Sequence, residues 1–226
     1  MRSTALVFAS LLLLAAPPAT HAESVNVAGR TVDVPVPAGY CVLKDGAAEG
    51  PILDRLRYGL GKGNRLLLAF ANCDELKAMR AAKAGTAEDG FDDYATVAVV
   101  LENGEPKLLD GVGRPQFLER IIRAMSNGQV IASALKRAEE RVRHVRDIRQ
   151  TESLGVLDND ANAVYIGLTG LNAETDQHVL AVGGATLVKG MNVYFTVYKI
   201  LKGPGDVSQL LTLQKANLGS FVAANR

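Results

Sequence analysis

The sequence predicts an α+β domain in which helices pack against a mainly antiparallel central sheet. Strand-like and helix-like runs are clustered along the chain instead of alternating strictly, which argues against a doubly wound parallel fold. Three strand-like runs, at 162–171, 178–188 and 191–201, follow one another directly and indicate an antiparallel meander. About 200 residues are enough for one sizeable hydrophobic core, so we expect a single domain over 23–226.

The first 22 residues have the composition of a secretory signal peptide. Arg2 supplies a positive charge, an apolar run of about a dozen residues follows, and Pro17 and Pro18 precede small residues that end at Ala22. The apolar run is shorter than the roughly 20 residues of a membrane-spanning helix. We therefore expect cleavage before Glu23 and an exported protein, periplasmic or secreted, with no transmembrane segment.

The nearly equal numbers of basic and acidic residues argue against one class of partner. The chain has 25 Lys and Arg residues against 24 Asp and Glu residues, and loss of Arg2 with the leader would make the two numbers equal. A neutral domain lacks the strongly basic surface of a general nucleic-acid binder. Nucleic acid is therefore not an expected partner.

The beginning of the expected mature chain predicts extended structure. Alternating valines over 25–36, with Gly29 between two short runs, indicate a pair of strands or a hairpin. The turn sequence at 37–40 then leads into another extended piece that holds Cys41.

One helix and two buried strands are expected next. Pro51 suits the first turn of a short amphipathic helix that ends in the glycine-rich segment 59–63. Continuous apolar runs at 65–71 and 94–101 predict strands that are covered on both faces. We interpret the segment 81–93 between them as a linker.

The segment 113–150 is the main helical block of the sequence. Asn127 and Gly128 form a natural stop that divides it into two helices. In the second helix the apolar positions recur in steps of three and four, so one face should pack and the other should be solvated. Those positions are Ile131, Leu135, Ala138, Val142 and Val145.

The end of the chain predicts a hairpin and a terminal helix. Lys189 and Gly190 separate the last two strand-like runs by the length of a tight hairpin turn. Asp206 is expected to cap the terminal helix. Its expected apolar face consists of Val207, Leu210, Leu211, Leu218, Phe221 and Val222.

Cys41 and Cys73 are the only cysteines of the chain. In an exported protein an even pair is most simply interpreted as one disulfide. Closing a loop of about 32 residues would remove chain entropy worth about 3–4 kcal/mol. Two buried free thiols, or a reactive Cys73, are the alternatives that the sequence leaves open.

Catalytic signatures are absent from the sequence. A Cys73 nucleophile would need a base, and the expected mature chain offers only His144, among arginines on a charged helix, and His178, at the start of a strand. No nucleophile elbow, zinc-protease motif or dinucleotide-binding glycine pattern occurs. We therefore expect no catalytic residues, and an envelope enzyme with a site assembled from scattered residues is the alternative.

Two loops resemble ligand motifs without matching them. The segment 59–64 has the glycines and lysine of a phosphate loop but lacks the following Ser or Thr, and it comes after a helix. The segment 158–169 begins like a calcium loop, but Ala163 stands where that loop requires glycine. The acids at 88–93 are a weaker cation candidate, for which a solvated loop is the simpler explanation. We expect neither a metal nor a cofactor.

The segment 136–149 carries a local excess of positive charge. A basic amphipathic helix of this kind can contact anionic lipid or an acidic partner. A peripheral membrane-associated protein that uses this helix is therefore a further alternative function. The ordinary alternative is a solvated face on which the bases pair with acids four residues away. The candidate contact residues are Lys136, Arg137, Arg141, Arg143 and Arg146.

The run that ends in Pro37, Ala38, Gly39 and Tyr40 resembles the beginning of PsbP-type domains, as does the meander followed by a terminal helix. The resemblance implies an α+β sandwich used as a binding or accessory module, and it assigns no catalytic residue. More broadly, the chain resembles small exported proteins of Gram-negative bacteria. We therefore expect an exported, non-enzymatic binding or accessory module with a protein or small-molecule partner.

Overall fold

The computed structural model describes residues 21–46, 48–82, 91–125, 133–144, 150–172 and 175–226. The strands are β1 (Ala22–Val27), β2 (Arg30–Pro35), β3 (Tyr40–Val42), β4 (Asn64–Asn72), β5 (Asp93–Glu102), β6 (Glu105–Pro106), β7 (Glu152–Asn159), β8 (Val164–Asn172), β9 (Gln177–Val188) and β10 (Met191–Ile200). The helices are α1 (Gly50–Gly59), α2 (Cys73–Ala81), α3 (Arg114–Met125), α4 (Ala134–Arg143) and α5 (Gly205–Ala224).

The central sheet is antiparallel, in the order β3-β4-β5-β10-β9-β8-β7, and β6 pairs with the end of β5. The chain enters at one edge, reaches β5, crosses to the far edge through α3 and α4, and returns as the meander β7 to β10. Because β10 closes the meander beside β5, residues far apart in sequence meet at the centre of the sheet. This confirms the α+β prediction.

The hairpin of β1 and β2 lies outside the central sheet. Its turn at Ala28 and Gly29 has positive φ at both residues, as a two-residue hairpin requires. The expected leader cleavage point, before Glu23, falls within β1, where Ala22 pairs with Pro35. Residues 1–20 of the expected signal peptide lie outside the described residues.

One face of the sheet is fully covered by α5, α4 and the β1–β2 hairpin, and we call it the α5 face. All six predicted apolar positions of α5 are buried there. Phe195 contacts Phe70 and Phe221 at the centre of this layer, with ring centroids 6.3 and 6.1 Å apart. Asn225 joins the two ends of the chain, because its side-chain amide accepts from Asp33 N at 3.0 Å and donates to Asp33 O at 2.6 Å.

Among the described residues, those that cover the opposite face lie at its two ends. Beside β3 and β4, α1 and α2 enclose one small apolar cluster around Leu53 and Leu76. Toward β7 and β8, α3 encloses another around Phe117 and Leu118. Between these two clusters the middle of the sheet forms a cleft, and we call this side the cleft face.

The two-residue strand β6 was not predicted from the sequence, and neither were two longer elements. The helix α2 begins where a strand end was expected, with the Asn72 side chain accepting from Asp74 N at 2.9 Å as its N-cap. The strand β7 forms the edge of the meander, interrupted by two register shifts and by Gly155 with positive φ. Both are short or irregular, so their side chains carry little periodic signal.

The turn between the last two strands is confirmed, the predicted stop at Asn127 and Gly128 lies outside the described residues, and Asp206 differs from its predicted role. Lys189 and Gly190 both have positive φ and join β9 to β10. Asp206 lies inside the first turn of α5, after the N-cap residue Pro204. Its Oδ2 accepts from Lys202 N at 2.6 Å and Gly203 N at 2.8 Å. The carboxylate therefore fixes the preceding loop instead of capping the helix.

Candidate functional site

Cys41 and Cys73 form the predicted disulfide, with their Cα atoms 5.0 Å apart. Cys41 lies in β3 opposite Ala71 of β4, and Cys73 is the first residue of α2. The Cys73 N–H also donates to Gly39 O at 3.0 Å. The bond fits an exported protein, because disulfides persist in oxidising compartments.

In the disulfide form, neither Cys41 nor Cys73 is available as a nucleophile. The sulfur of Cys73 is bonded to Cys41 and carries no thiol proton. His144 is an exposed residue just after α4, and His178 belongs to β9. The structure therefore does not bring a free thiol and an imidazole together.

The calcium-like segment forms a protein turn. Asp160 Oδ1 accepts from Asn162 N at 2.7 Å and Ala163 N at 3.0 Å, and its Oδ2 accepts from the Tyr165 hydroxyl at 2.8 Å. Asp158 pairs with Lys215 of α5. Among the described residues, no group of three or more His, Cys, Asp or Glu side chains could hold a metal ion.

The structure describes the basic segment 136–149 as far as residue 144, so Arg146 lies outside the described residues. In α4, Leu135, Ala138 and Val142 pack inward as expected. Lys136, Arg137, Arg141 and Arg143 are exposed on the other side.

Acids and hydroxyls contact most of these exposed bases. The Arg141 guanidinium makes a bidentate pair with Glu152 at 3.0 and 2.8 Å, Arg143 lies 3.3 Å from Glu140, and Arg137 donates to Ser133. This arrangement is typical of a solvated face. Contact with an anionic surface stays a prediction.

The cleft is built around one cross-strand row of the sheet. Ala71, Tyr94, Tyr198, Ala181 and Leu168 are successive partners on β4, β5, β10, β9 and β8. We call these five residues the aromatic row. The two tyrosine rings are stacked, with centroids 4.3 Å apart and planes 6° apart. Ala181 lines a cavity beside Tyr198, whereas Ala71 is buried in the cluster around Leu53 and Leu76.

The first cavity lies between the tyrosine pair and α1 and has a volume of about 350 Å³. Its apolar wall is formed by Ile52, Leu56 and Leu60 of the α1 segment together with Phe91. Arg55 is its one charged lining residue among those described. The volume lies in the range of sites for small organic ligands.

The second cavity lies on the Tyr198 side and has a volume of about 230 Å³. It is bounded by Leu168 and Thr169 of β8, by Ala181 of β9 and by Thr151. Its lining includes no charged side chain among the described residues. Tyr94, Tyr198 and Asn172 line both cavities, which therefore adjoin at the ring pair.

Burial controls the ionisation of the ring pair. Desolvation raises the pKa of Tyr94, and the adjacent Tyr198 adds to the increase. Burial also raises the pKa of Tyr198, although hydrogen bonds with Thr96 and Thr196 partly oppose it. At neutral pH both phenols are therefore uncharged and can exchange hydrogen bonds with a ligand.

Stability should fall at alkaline pH because of these phenols. Above about pH 10, the ordinary phenol pKa, the unfolded chain loses protons that the native protein retains. The native state then binds more protons, so the free energy of unfolding decreases as pH rises. Urea unfolding at pH 9, 10 and 11 should show this decrease, and Tyr94→Phe should make it less steep.

Tyr58→Phe is the matched control, since the Tyr58 side chain is 90% exposed on α1. We expect its pH dependence to equal that of the unmodified protein. An equal slope in Tyr94→Phe would contradict the role of burial at the ring pair.

Comparison with known proteins gives no family for this chain. No family model matches it, and no curated protein matches it. Among solved structures, LpqN, involved in cell envelope biogenesis of Mycobacterium tuberculosis, aligns over 87% of each chain at 8% identity with a TM-score of 0.30. A similarity at this level assigns neither fold family nor function.

Within the described part of the chain, the helices are too short or too polar to span a bilayer.

The residues of the cleft were not identified from the sequence. Tyr94 and Tyr198 belong to runs that were interpreted only as strands, and their sequence positions give no indication that the rings touch. The register of β5 with β10 brings them together. An available signal was the small-residue content of β9, including Ala181 and Gly183, because small residues in a central strand indicate that another group approaches the sheet.

Proposed function

We propose that this protein is an exported, non-enzymatic binding module, periplasmic or secreted, that binds a small molecule in the cleft. The observation that supports the proposal is the pair of adjoining cavities that meet at Tyr94 and Tyr198. Apolar walls with a few neutral polar groups are typical of small-molecule sites. The disulfide is consistent with export.

The arrangement of charge is consistent with binding rather than hydrolysis or group transfer. The cavity linings contain hydroxyls, an amide and one guanidinium, and they contain no carboxylate or imidazole among the described residues. A general acid or base with a pKa near neutrality is therefore not supplied by these side chains. Orientation and burial of a ligand are what they can provide.

Filling the mouth of the first cavity should reduce binding. Gly59 lines this cavity, and a Cβ at that position meets no atom within 4 Å. Gly59→Phe should therefore fold normally and place its ring in the cavity. We expect it to weaken binding of the neutral dye Nile red about tenfold or more, measured by fluorescence titration.

Gly50→Phe is the control, because Gly50 begins the same helix, has equally open surroundings and does not line either cavity. It should bind Nile red like the unmodified protein. If Gly59→Phe and Gly50→Phe bind the dye equally well, or if the unmodified protein does not bind it, the cleft is not the ligand site.

A further inference from the structure

The aromatic row on the cleft face has a gap beside its two stacked rings, because the next position carries only an alanine side chain. Tyr94 and Tyr198 stand side by side, and the next position, on β9, is Ala181. Beyond it, on β8, stands Leu168. Tyr198 and Leu168 are two strand spacings apart, about 9–10 Å along the sheet, with only an alanine methyl between them.

This gap belongs to the second cavity, which Tyr198, Ala181 and Leu168 all line. A flat ring standing over Ala181 would stack on the outer face of Tyr198, and its other face would lie against Leu168. Aromatic pairs prefer offset or edge contacts at centroid separations of about 4.5–7 Å, a range that the strand spacing allows. The occupant would extend the tyrosine stack by one ring.

The charge of the occupant follows from the surroundings. Among the described residues, the second cavity is lined by hydroxyl, amide and apolar side chains, and no ionised group offers a counter-charge. Burying an unpaired charge is costly, whereas Thr151 and Asn172 can exchange hydrogen bonds with a neutral polar group. Arg55 lines only the first cavity, so the second cavity does not favour an anion.

We propose that the second cavity binds an uncharged, planar aromatic ring that stacks on Tyr198 above Ala181, with one polar substituent directed toward Thr151 and Asn172. The proposal rests on the proposed function and adds the chemical class of the ligand and its place in the cleft.

The test uses three naphthalene probes of similar size and different charge: 1-naphthamide, 1-naphthoate and 1-naphthylmethylammonium. Isothermal titration calorimetry at pH 7 should give an affinity for the amide about tenfold higher than for either ion. The same titrations are made with Arg55→Gln, in which the first cavity has lost its charged lining residue. Equal or tighter binding of the naphthoate by this variant would overturn the uncharged class.

Three variants test the position of the ring. Ala181→Phe supplies the missing ring from the protein and should abolish binding of 1-naphthamide. Tyr198→Phe keeps the stacking face and should bind within about twofold of the unmodified protein, whereas Tyr198→Leu should lose about tenfold. The Tyr198 pair keeps the test valid if Ala181→Phe does not fold, which its thermal unfolding curve would reveal.

Tyrosine emission gives a second measure of binding beside the tyrosine pair. The chain contains no tryptophan, so its near-ultraviolet emission comes from tyrosine, and 1-naphthamide bound beside Tyr198 should reduce that emission through energy transfer. If Nile red binding depends on Gly59 but 1-naphthamide binding is unaffected by Ala181→Phe and Tyr198→Leu, the ring site is wrong and the proposed function stands. Failure of both probes overturns both.

Discussion

Replacing both cysteines with alanine should lower the free energy of unfolding by about 3–4 kcal/mol. The Cys41–Cys73 bond closes a loop with a sequence separation of 32 residues, and without it the unfolded chain regains the entropy of that loop. For a domain of about 200 residues this loss corresponds to a decrease in Tm of roughly 10 °C. Urea unfolding of the double variant Cys41→Ala/Cys73→Ala measures it.

The loop that the disulfide closes contains or adjoins short helices that would be marginally stable on their own. The loop contains α1, which forms a wall of the first cavity, and it ends at α2, which has only nine residues. Isolated helices of this length are marginal in water. The buried Glu49 connects the two helices, because its Oε1 accepts from Arg80 Nε at 2.7 Å and its Oε2 accepts from Lys44 N at 2.6 Å.

A redox control distinguishes the cross-link from the packing of the two sulfurs. Reducing the unmodified protein with a phosphine should lower its stability to that of the double alanine variant, and the same reagent should leave the variant unchanged. A double variant as stable as the oxidised protein would show that the bond does not stabilise the fold. A variant far less stable than the reduced protein would assign the effect to side-chain packing.

Most helices and strands could be predicted because each leaves a pattern among neighbouring residues of the sequence. The β1–β2 hairpin and the terminal helix α5 follow from alternation around Gly29 and from helical spacing of six apolar residues. The helix α2 was missed because Asn72 directly follows an apolar strand. Its first-turn acids Asp74 and Glu75 favour a helix N-terminus and were the available signal.

The cleft could not be predicted in the same way because it depends on strand register. Tyr94 and Tyr198 meet only because β10 returns beside β5 after α3, α4 and the strands β6 to β9. A shift of one residue in that pairing would place the two rings on opposite faces of the sheet. No local pattern in either strand contains this information, whereas the disulfide followed from composition and the expected compartment alone.

Truncating Phe195 to alanine should have a stability effect of similar size, about 3–5 kcal/mol. Phe195 is 1% exposed and lies between Phe70 and Phe221, stacked on one ring and edge-on to the other, with an interplanar angle of 84° for the second contact. Removing it loses the transfer free energy of the ring and leaves a cavity under α5. Phe195→Leu keeps most of the volume and should cost about 1–2 kcal/mol.

The same variant also tests whether the two faces of the sheet act independently. Phe195 points to the α5 face, while its neighbour Thr196 points to the cleft face beside Tyr198. If the ligand site is confined to the cleft face, folded Phe195→Ala should bind Nile red within about twofold of the unmodified protein, since distant and independent sites contribute additively. A large loss of binding in Phe195→Leu, whose fold is nearly intact, would mean that the α5 face helps to position the tyrosine pair. The cleft would then depend on the whole sheet, and the ring site over Ala181 would need the core behind it to be intact.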